Sequence, residues 1–460
     1  MKETGPPVSA AVLSALRSRL RGMTLIPADS GYDAARLVWN GAIDRRPSAI
    51  ITCADAEDVA FAIRIAADHG MPLTIRGGGH NVAGRSIRDG ALMLDLSRLR
   101  NVTVHRDSRV ASVQGGALWR DVDGATSAAG LATTGGLISS TGVGGFTLGG
   151  GAGWLMRKHG LACDNLRSVS MVLADGRFVR ASAEEHPELF WGLRGGTGGL
   201  GVVTRFDFQL HPVHDVLVGL LIHAGDHAFE VLRAFHEYAR NAAEEFCGMA
   251  IAANAPPLPF LDMAWHGRPV LVLAVCWCGD LAEGEKALAP LRSHGSPLVD
   301  HIGPMPYVRW QQMQDPTAPA GRQYFWKTAN FTAMTDETLR QIAAALHDLP
   351  TPQSEIHVQH MGGAVSKISV DDSAFVHRDA AFFVNVIGAS NYVQLLPTLR
   401  DRVRALHRTL ARGASPGTLA NFSDQDDGDQ ERWLGTGTCR AARCAAPPLR
   451  SGGNVCRALN

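Results

Sequence analysis

A histidine directly after three glycines, in Thr74-Ile75-Arg76-Gly77-Gly78-Gly79-His80-Asn81, is the stretch of this sequence best equipped for chemistry. Adjacent glycines let the backbone run close against a ligand and turn successive amides toward an anion, and a neutral imidazole beside them is a nucleophile. Downstream, Ser140 to Gly153 holds seven glycines in fourteen residues, with Val143, Phe146 and Leu148 between them. A flexible linker pairs glycine with serine and charge, so the apolar interleaving indicates a packed segment that gives up entropy for close approach. Two such loops, about sixty residues apart and each beside strand-like sequence, imply a long phosphate-bearing ligand held by backbone groups.

The elements that must position these loops begin with a strand at Ser48–Thr52, an amphipathic helix from Asp55 to His69 and a strand at Pro72–Arg76. This β-α-β start suggests a parallel unit, and with it a dinucleotide-binding fold. The pattern G-x-G-x-x-G does occur, at Gly196, Gly198 and Gly201, but the residues that follow, Val202 to Leu210, alternate with period two. That fingerprint must open a helix whose N-terminus meets the pyrophosphate, and here it opens a strand, so the match is a decoy. From about 210 to 400, strands such as Leu271–Trp277, Glu355–His360 and Ala381–Val386 alternate with helical stretches at Ala228–Asn241 and Thr338–Leu349. An antiparallel sheet with helices to one side is the expected layer plan, entered through a linker near His211-Pro212.

Composition narrows the class. Lys+Arg and Asp+Glu are both 44, so no basic excess invites nucleic acid or an anionic membrane surface. At 460 residues and 45% hydrophobic content the chain supports a large core and more than one structural unit. The eight cysteines lack the paired spacing of a disulfide framework or zinc site, and Cys276 and Cys278 flank Trp277 in an apolar run as small hydrophobes. Met1 to Gly22 has helical Leu/Arg spacing and no apolar signal-peptide core, and no run is long enough to span a membrane; the expectation is a cytoplasmic protein. The sequons at Asn101, Asn330 and Asn421 carry no weight without export.

Four segments, Arg76–Asn81, Thr141–Gly145, Gly160–Asn165 and Phe190–Gly196, occur in the order and spacing of FAD-linked oxidases, and the chain resembles the family of berberine bridge enzyme and 6-hydroxynicotine oxidase. The likeness continues through Asp300–Tyr307, His360–Ala364 and Ala374–Asp379 and covers roughly residues 25 to 425. It implies an α+β fold: a two-subdomain, PCMH-like FAD-binding domain over residues 1–210, a substrate domain with an antiparallel sheet flanked by helices over 211–400, and a return segment over 401–460. The family pattern puts FAD against Arg76, Gly77, Gly78, Gly79, His80, Asn81, Gly84, Ser140, Thr141, Gly142, Gly144, Gly145, Gly149, Gly150, Asp164, Gly201, Val203 and Asn421. It also makes His80 the covalent attachment point, through the flavin 8α-methyl, which renders the flavin more oxidising.

Some relatives add a second bond through a cysteine just before the Gly-Val-Gly-Gly loop. That position is Ile138 here, which cannot form a thioether, and Cys163 lies in a segment where cysteine packs near the cofactor; one bond is expected. Relatives that oxidise sugars carry a tyrosine base two residues before the asparagine matching Asn421, and that position is Leu419. The catalytic candidates left in the roof sheet are Tyr324, Lys327, Gln359 and His377, each with a purely structural alternative. Arg194-Gly195-Gly196-Thr197-Gly198-Gly199-Leu200-Gly201 lacks an amide side chain usual near the adenine half. After about 433 the family's closing helix is missing, three cysteines fall in Cys439–Cys456, and only Gly453–Asn460 echoes the usual ending; a frame disruption and a divergent tail both account for it.

The function implied is an FAD-dependent oxidoreductase, an oxidase with covalent flavin that takes a hydride from an alcohol or amine carbon onto N5 and reduces oxygen to hydrogen peroxide. The alternatives are a dehydrogenase with another acceptor and a flavin-binding protein with little turnover. Its partners are a small-molecule substrate and molecular oxygen, with no metal, nucleic acid or membrane. Substrate identity and oligomeric state stay open.

Overall fold

The computed structural model describes residues 8–424. The atypical tail and its cysteines therefore lie outside the described residues. Capping sets the first elements: the Asp55 carboxylate accepts from the Asp58 amide and opens the Ala56–Asp68 helix, whose Val59, Ala60, Ala62, Ile63 and Ala66 are buried. That face packs on a four-stranded sheet in which Ala49–Thr52, Leu92–Asp95 and Leu73–Arg76 run parallel, with Met23–Leu25 antiparallel at the edge. The β-α-β reading of the sequence therefore holds.

A second, five-stranded antiparallel sheet follows in the spatial order Val102–His105, Val110–Gln114, Val202–Gln209, Leu166–Val172, Phe178–Ser182. Val202–Gln209 is its central strand, paired on both sides, so the chain after Gly201 has no freedom to form a helix. Phe206, Phe208, Trp119 and Phe190 fill the core below it. His211–Pro212, expected as a linker, is instead a short strand against Leu131–Ala132. The reason is backbone pairing: the segment leaves the central strand still extended and meets a second extended segment.

The third sheet is antiparallel and seven-stranded, in the order Val299–Pro306, Asp215–Ala224, Pro269–Trp277, Phe246–Asn254, Glu355–His360, Phe382–Ser390, Gln323–Phe331. The helices Ala228–Asn241, Asp336–Leu346 and Leu396–Leu410 cover one face and bury Phe235, Leu339 and Val403 against Phe325, Phe331 and Val384. Its opposite face meets the glycine-rich half through Met249, Phe383, Trp154 and Phe375. Side chains alternate along every strand, so in Gln323–Phe331 the residues Phe325, Ala329 and Phe331 belong to the helix-covered core, while Tyr324 and Trp326 turn toward the glycine loops. This is a mixed α+β architecture with helices on one side of the large sheet.

Candidate flavin and substrate site

The two glycine loops touch. A Cβ added to Gly78 would sit 2.4 Å from the Gly142 amide nitrogen, and one added to Gly142 would sit 2.2 Å from that of Gly78. Neither position can hold a side chain while the loops stay together. Beside this contact lies a cavity of about 540 Å³, a size usual for small-molecule sites. Gly145 lines it, has no positive φ and would place a Cβ at least 4 Å from any neighbour. Neither packing nor backbone conformation calls for glycine there, whereas a ligand lying on that surface does. This cradle fits a long cofactor held by main-chain groups.

His80 stands on the cavity wall. Its Nε2 lies 3.1 Å from Ser140 Oγ, and its ring stacks on Trp39 with centroids 4.4 Å apart and planes at 19°. Burial pushes the imidazole down to about 4, against a smaller upward effect from its own backbone. At neutral pH the ring is uncharged, so a nitrogen lone pair is present for attack on an electrophile.

Of the residues expected to hold the cofactor, Gly77, Gly78, Gly79, His80, Asn81, Thr141, Gly142, Gly144, Gly145, Gly149, Gly201, Val203 and Asn421 line the cavity. The other five are placed behind it. Arg76 is turned away, with its guanidinium on Asp95 at 2.8 Å and on the carbonyls of Ala35 and Leu37. Gly84 has φ +67° and packs on Ile43, and Gly150 has φ +108° over Phe375. Ser140 acts on His80. Asp164 accepts two 2.7 Å hydrogen bonds from Arg378 in a buried ion pair and a third from the Leu161 amide. Asn421 does more than line the wall: its side chain accepts from the Gly151 amide and donates to the Phe146 carbonyl, which closes the second loop.

The roof candidates separate in the same way. Tyr324 lines the cavity, but its hydroxyl donates to the Pro319 carbonyl at 2.9 Å and burial pushes its ionisation up, so it is a poor base. Lys327 is three residues from Tyr324 and therefore faces the helices, with its ammonium 5.9 Å from the Phe325 ring centroid. Gln359 shares the cavity-facing side of its strand but lies deeper, beside Met249 and Phe383, and its buried Nε2 has no hydrogen-bond partner. His377 is buried edge-on to Phe375, away from the cavity, and burial lowers its basicity.

Inspection of the sequence by residue type missed Glu355, His357, Asn385, Trp326 and Trp39. Glu355 and His357 line the cavity and are joined by a 2.7 Å bond between His357 Nε2 and Glu355 Oε2. The signal was present: Glu355-Ile356-His357-Val358-Gln359 alternates polar and apolar residues, which turns every polar side chain to one face. Cys163 is buried outside the cavity, and burial followed by the neighbouring Asp164 raises its thiol far above the usual range; it remains a protonated packing residue. Ile138 is in the cavity wall. Among the described residues no group of three or more His, Cys, Asp or Glu could hold a metal, and no helix is long and apolar enough to cross a membrane.

The FAD binding domain family matches residues 47–182. Glucooligosaccharide oxidase from Sarocladium strictum is 34% identical over 374 residues, covering 76% of this chain and 72% of that one. The crystal structure of 6-hydroxy-D-nicotine oxidase from Arthrobacter nicotinovorans matches with a TM-score of 0.82 at 25% identity, covering 93% of this chain and 94% of the other. Berberine bridge enzyme in complex with (S)-reticuline shares the fold with a TM-score of 0.84 at 21% identity, over 96% of each chain. Paired glycine loops, a cavity wall bearing a neutral histidine and an extended sequence match lead to one assignment: the chain belongs to the FAD-linked oxidoreductases of the berberine bridge enzyme and 6-hydroxynicotine oxidase family.

Proposed function

We propose that this oxidoreductase is an oxidase whose FAD is bound covalently, by a single bond through His80, and that residues 1–210 with the return segment form its flavin unit and 211–400 its substrate unit. The observation that carries the reading is the uncharged His80 imidazole on the cavity wall, fixed by Ser140 and Trp39. When bound, FAD supplies the electrophilic 8α carbon for that histidine and accepts hydride from an alcohol or amine carbon, with oxygen taking the electron pair to give hydrogen peroxide.

The protein's own part is divided between the two sides of the cavity. Backbone amides of the glycine loops hold phosphate, and Asn421 keeps the second loop closed. In the roof, the His357–Glu355 pair is the group placed to take a proton from the substrate's O–H or N–H, with Glu355 fixing the imidazole. Trp326 and Ile387 supply apolar surface that excludes water. Support for a histidyl tether comes from the solved glucooligosaccharide oxidase of Acremonium strictum, described with a 6-S-cysteinyl, 8α-N1-histidyl FAD. Ile138 in the cavity wall, where a thioether cannot form, and Cys163 buried outside the cavity support a single bond through the histidine.

Acid precipitation of the purified protein tests the tether. Yellow colour should stay with the pellet, and move to the supernatant in His80→Ala. Peroxide release across a panel of alcohols, sugars and amines tests the oxidase reading: flavin that bleaches without air but reoxidises slowly in it marks a dehydrogenase, and flavin that never bleaches marks a binding protein. In Glu355→Gln and His357→Ala, kcat should fall by about 10²-fold or more with the flavin content unchanged.

A further inference from the structure

We propose that Trp39 and Asn40 are the positioning residues of the His80 site, the indole fixing the plane of the imidazole and the Asn40 amide locking the first glycine loop to the edge strand that carries Tyr324. This rests on the tether proposed above. A histidine that follows three glycines has a backbone with little stiffness of its own, and Gly79 is in the left-handed region at φ +64°. Whatever holds the ring must therefore come from elsewhere in the chain.

Trp39 lies between two rings. It stacks on His80 on one side and on Tyr324 on the other, the latter at 4.0 Å and 12°, while Trp326 meets it edge-on at 5.5 Å. Its indole N–H donates to the Ala318 carbonyl at 3.0 Å. Both Trp39 and Asn40 are almost completely buried. With the Ser140 bond fixing one ring nitrogen and the indole covering one ring face, the imidazole has little freedom to turn.

Asn40 uses its whole hydrogen-bonding capacity in the same place. Its Oδ1 accepts from the amides of Tyr324 and Ala42, both at 3.0 Å, and its Nδ2 donates to the carbonyls of Val82 at 2.7 Å and Tyr324 at 3.1 Å. Backbone bonds continue the clasp: the Trp39 amide donates to Gly79, the Gly321 amide to Trp39, and the Gly41 amide to Arg322. A side chain at Gly41 would strike the Gly321 carbonyl at 2.1 Å. Residues 39–41 are thus inserted between the attachment loop and the free edge of the roof sheet. Trp39 does not line the cavity, so it acts through His80 and Tyr324 and not on the ligand.

Tether formation would make one C–N bond between His80 and the 8α carbon and break one 8α C–H bond and the imidazole N–H bond, the electron pair passing through the flavin to oxygen, which takes it up with the two protons as hydrogen peroxide. A ring that turns away from that carbon loses the reaction without losing the cofactor. The experiment incubates full-length protein with FAD and measures flavin in the acid pellet and in the supernatant for wild type, Trp39→Phe, Trp39→Leu and His80→Ala. The covalent fraction should fall about tenfold in Trp39→Leu, with total flavin maintained, and recover in Trp39→Phe, which keeps a stacking ring. An unchanged covalent fraction in Trp39→Leu, or a Trp39→Phe protein no better than Trp39→Leu, overturns the proposal. If Trp39→Leu does not fold, Asn40→Asp carries the same comparison, because its carboxylate faces two carbonyls in place of donating to them.

Wild-type flavin that appears wholly in the supernatant defeats the tether itself. The positioning claim is then decided by proton titration of the His80 ring. A midpoint raised by about one unit or more in Trp39→Leu supports it, and an unchanged midpoint overturns it.

Discussion

On one side of the cavity, Gly78 and Gly142 bring two backbones together with no side chain between them; on the other, Tyr324, Trp326, Glu355 and His357 project from two strands whose alternation decides which side chains reach the cavity. The glycine side is intolerant of any added atom at its contacts, because what it offers is main chain. The roof can change its side chains while the sheet beneath them stays the same. In the proposed function cofactor binding falls to the rigid side and substrate choice to the replaceable one, a division that suits a fold whose relatives are named for a nicotine derivative and for glucooligosaccharides.

The largest effect is expected where the two sides are joined. Asp164 comes from the glycine-rich half and Arg378 from the roof half, and both side chains are at most 3% exposed. Arg378→Met leaves a buried carboxylate without its cation and should cost about 3–5 kcal/mol, seen as a large fall in denaturation midpoint. Asp164→Asn with Arg378→Met should recover part of that loss, because the stranded charge is gone. A single variant as stable as wild type would mean the halves are held together by apolar packing alone.

Within the glycine side the contrast is between Gly142→Ala and Gly145→Ala. The first forces a methyl to 2.2 Å from backbone and should cost about 3 kcal/mol, since neither loop can yield separately. The second enters open space, so the flavin-free protein should melt as wild type does while FAD binds more weakly. Equal melting losses in both would show that Gly145 is there for folding.

The pH dependence of the flavin-free protein follows from burial of neutral histidines. His80 is held at about 4 and has an ordinary value near 6.5, so the unfolded chain binds the proton more readily. Its contribution is full above pH 6.5 and is lost as pH falls toward 4, amounting to about 3 kcal/mol over that window. His223, also at about 4, and His159, at about 3, act in the same direction. Chemical denaturation between pH 7 and 4 should therefore show a steep loss, reduced in His80→Ala.

How much could be read in advance follows the same division. The glycine side was legible because glycine spacing is local: both loops, the rejected fingerprint before Val202–Gln209 and the helix ends at Asp55 and His69 all stand in the sequence as they do in the fold. The five residues behind the wall, Arg76, Gly84, Ser140, Gly150 and Asp164, belong to the right segments, but their side chains or close contacts serve the protein itself. In the roof, selection by residue type placed Lys327 beside Tyr324 against the two-residue period, and overlooked Glu355 and His357, which obey it. Trp39 and Asn40 could not have been found: their partner Tyr324 is 284 residues from Asn40, and nothing local marks the contact.

The smallest predicted effect is the sharpest test of the period argument. Lys327→Met keeps the length of a side chain that faces Phe325 and the helix layer, so kcat and KM should stay within about twofold of wild type and only stability should move, by about 1 kcal/mol. Thr328 and Asn385, one step along and on the cavity side, are joined at 3.1 Å in the row that carries His357. Asn385→Ala should therefore change KM where Lys327→Met does not. A kcat loss of about tenfold or more in Lys327→Met would place its ammonium in the chemistry and would mean that the strand turns over between Tyr324 and Lys327 when substrate binds.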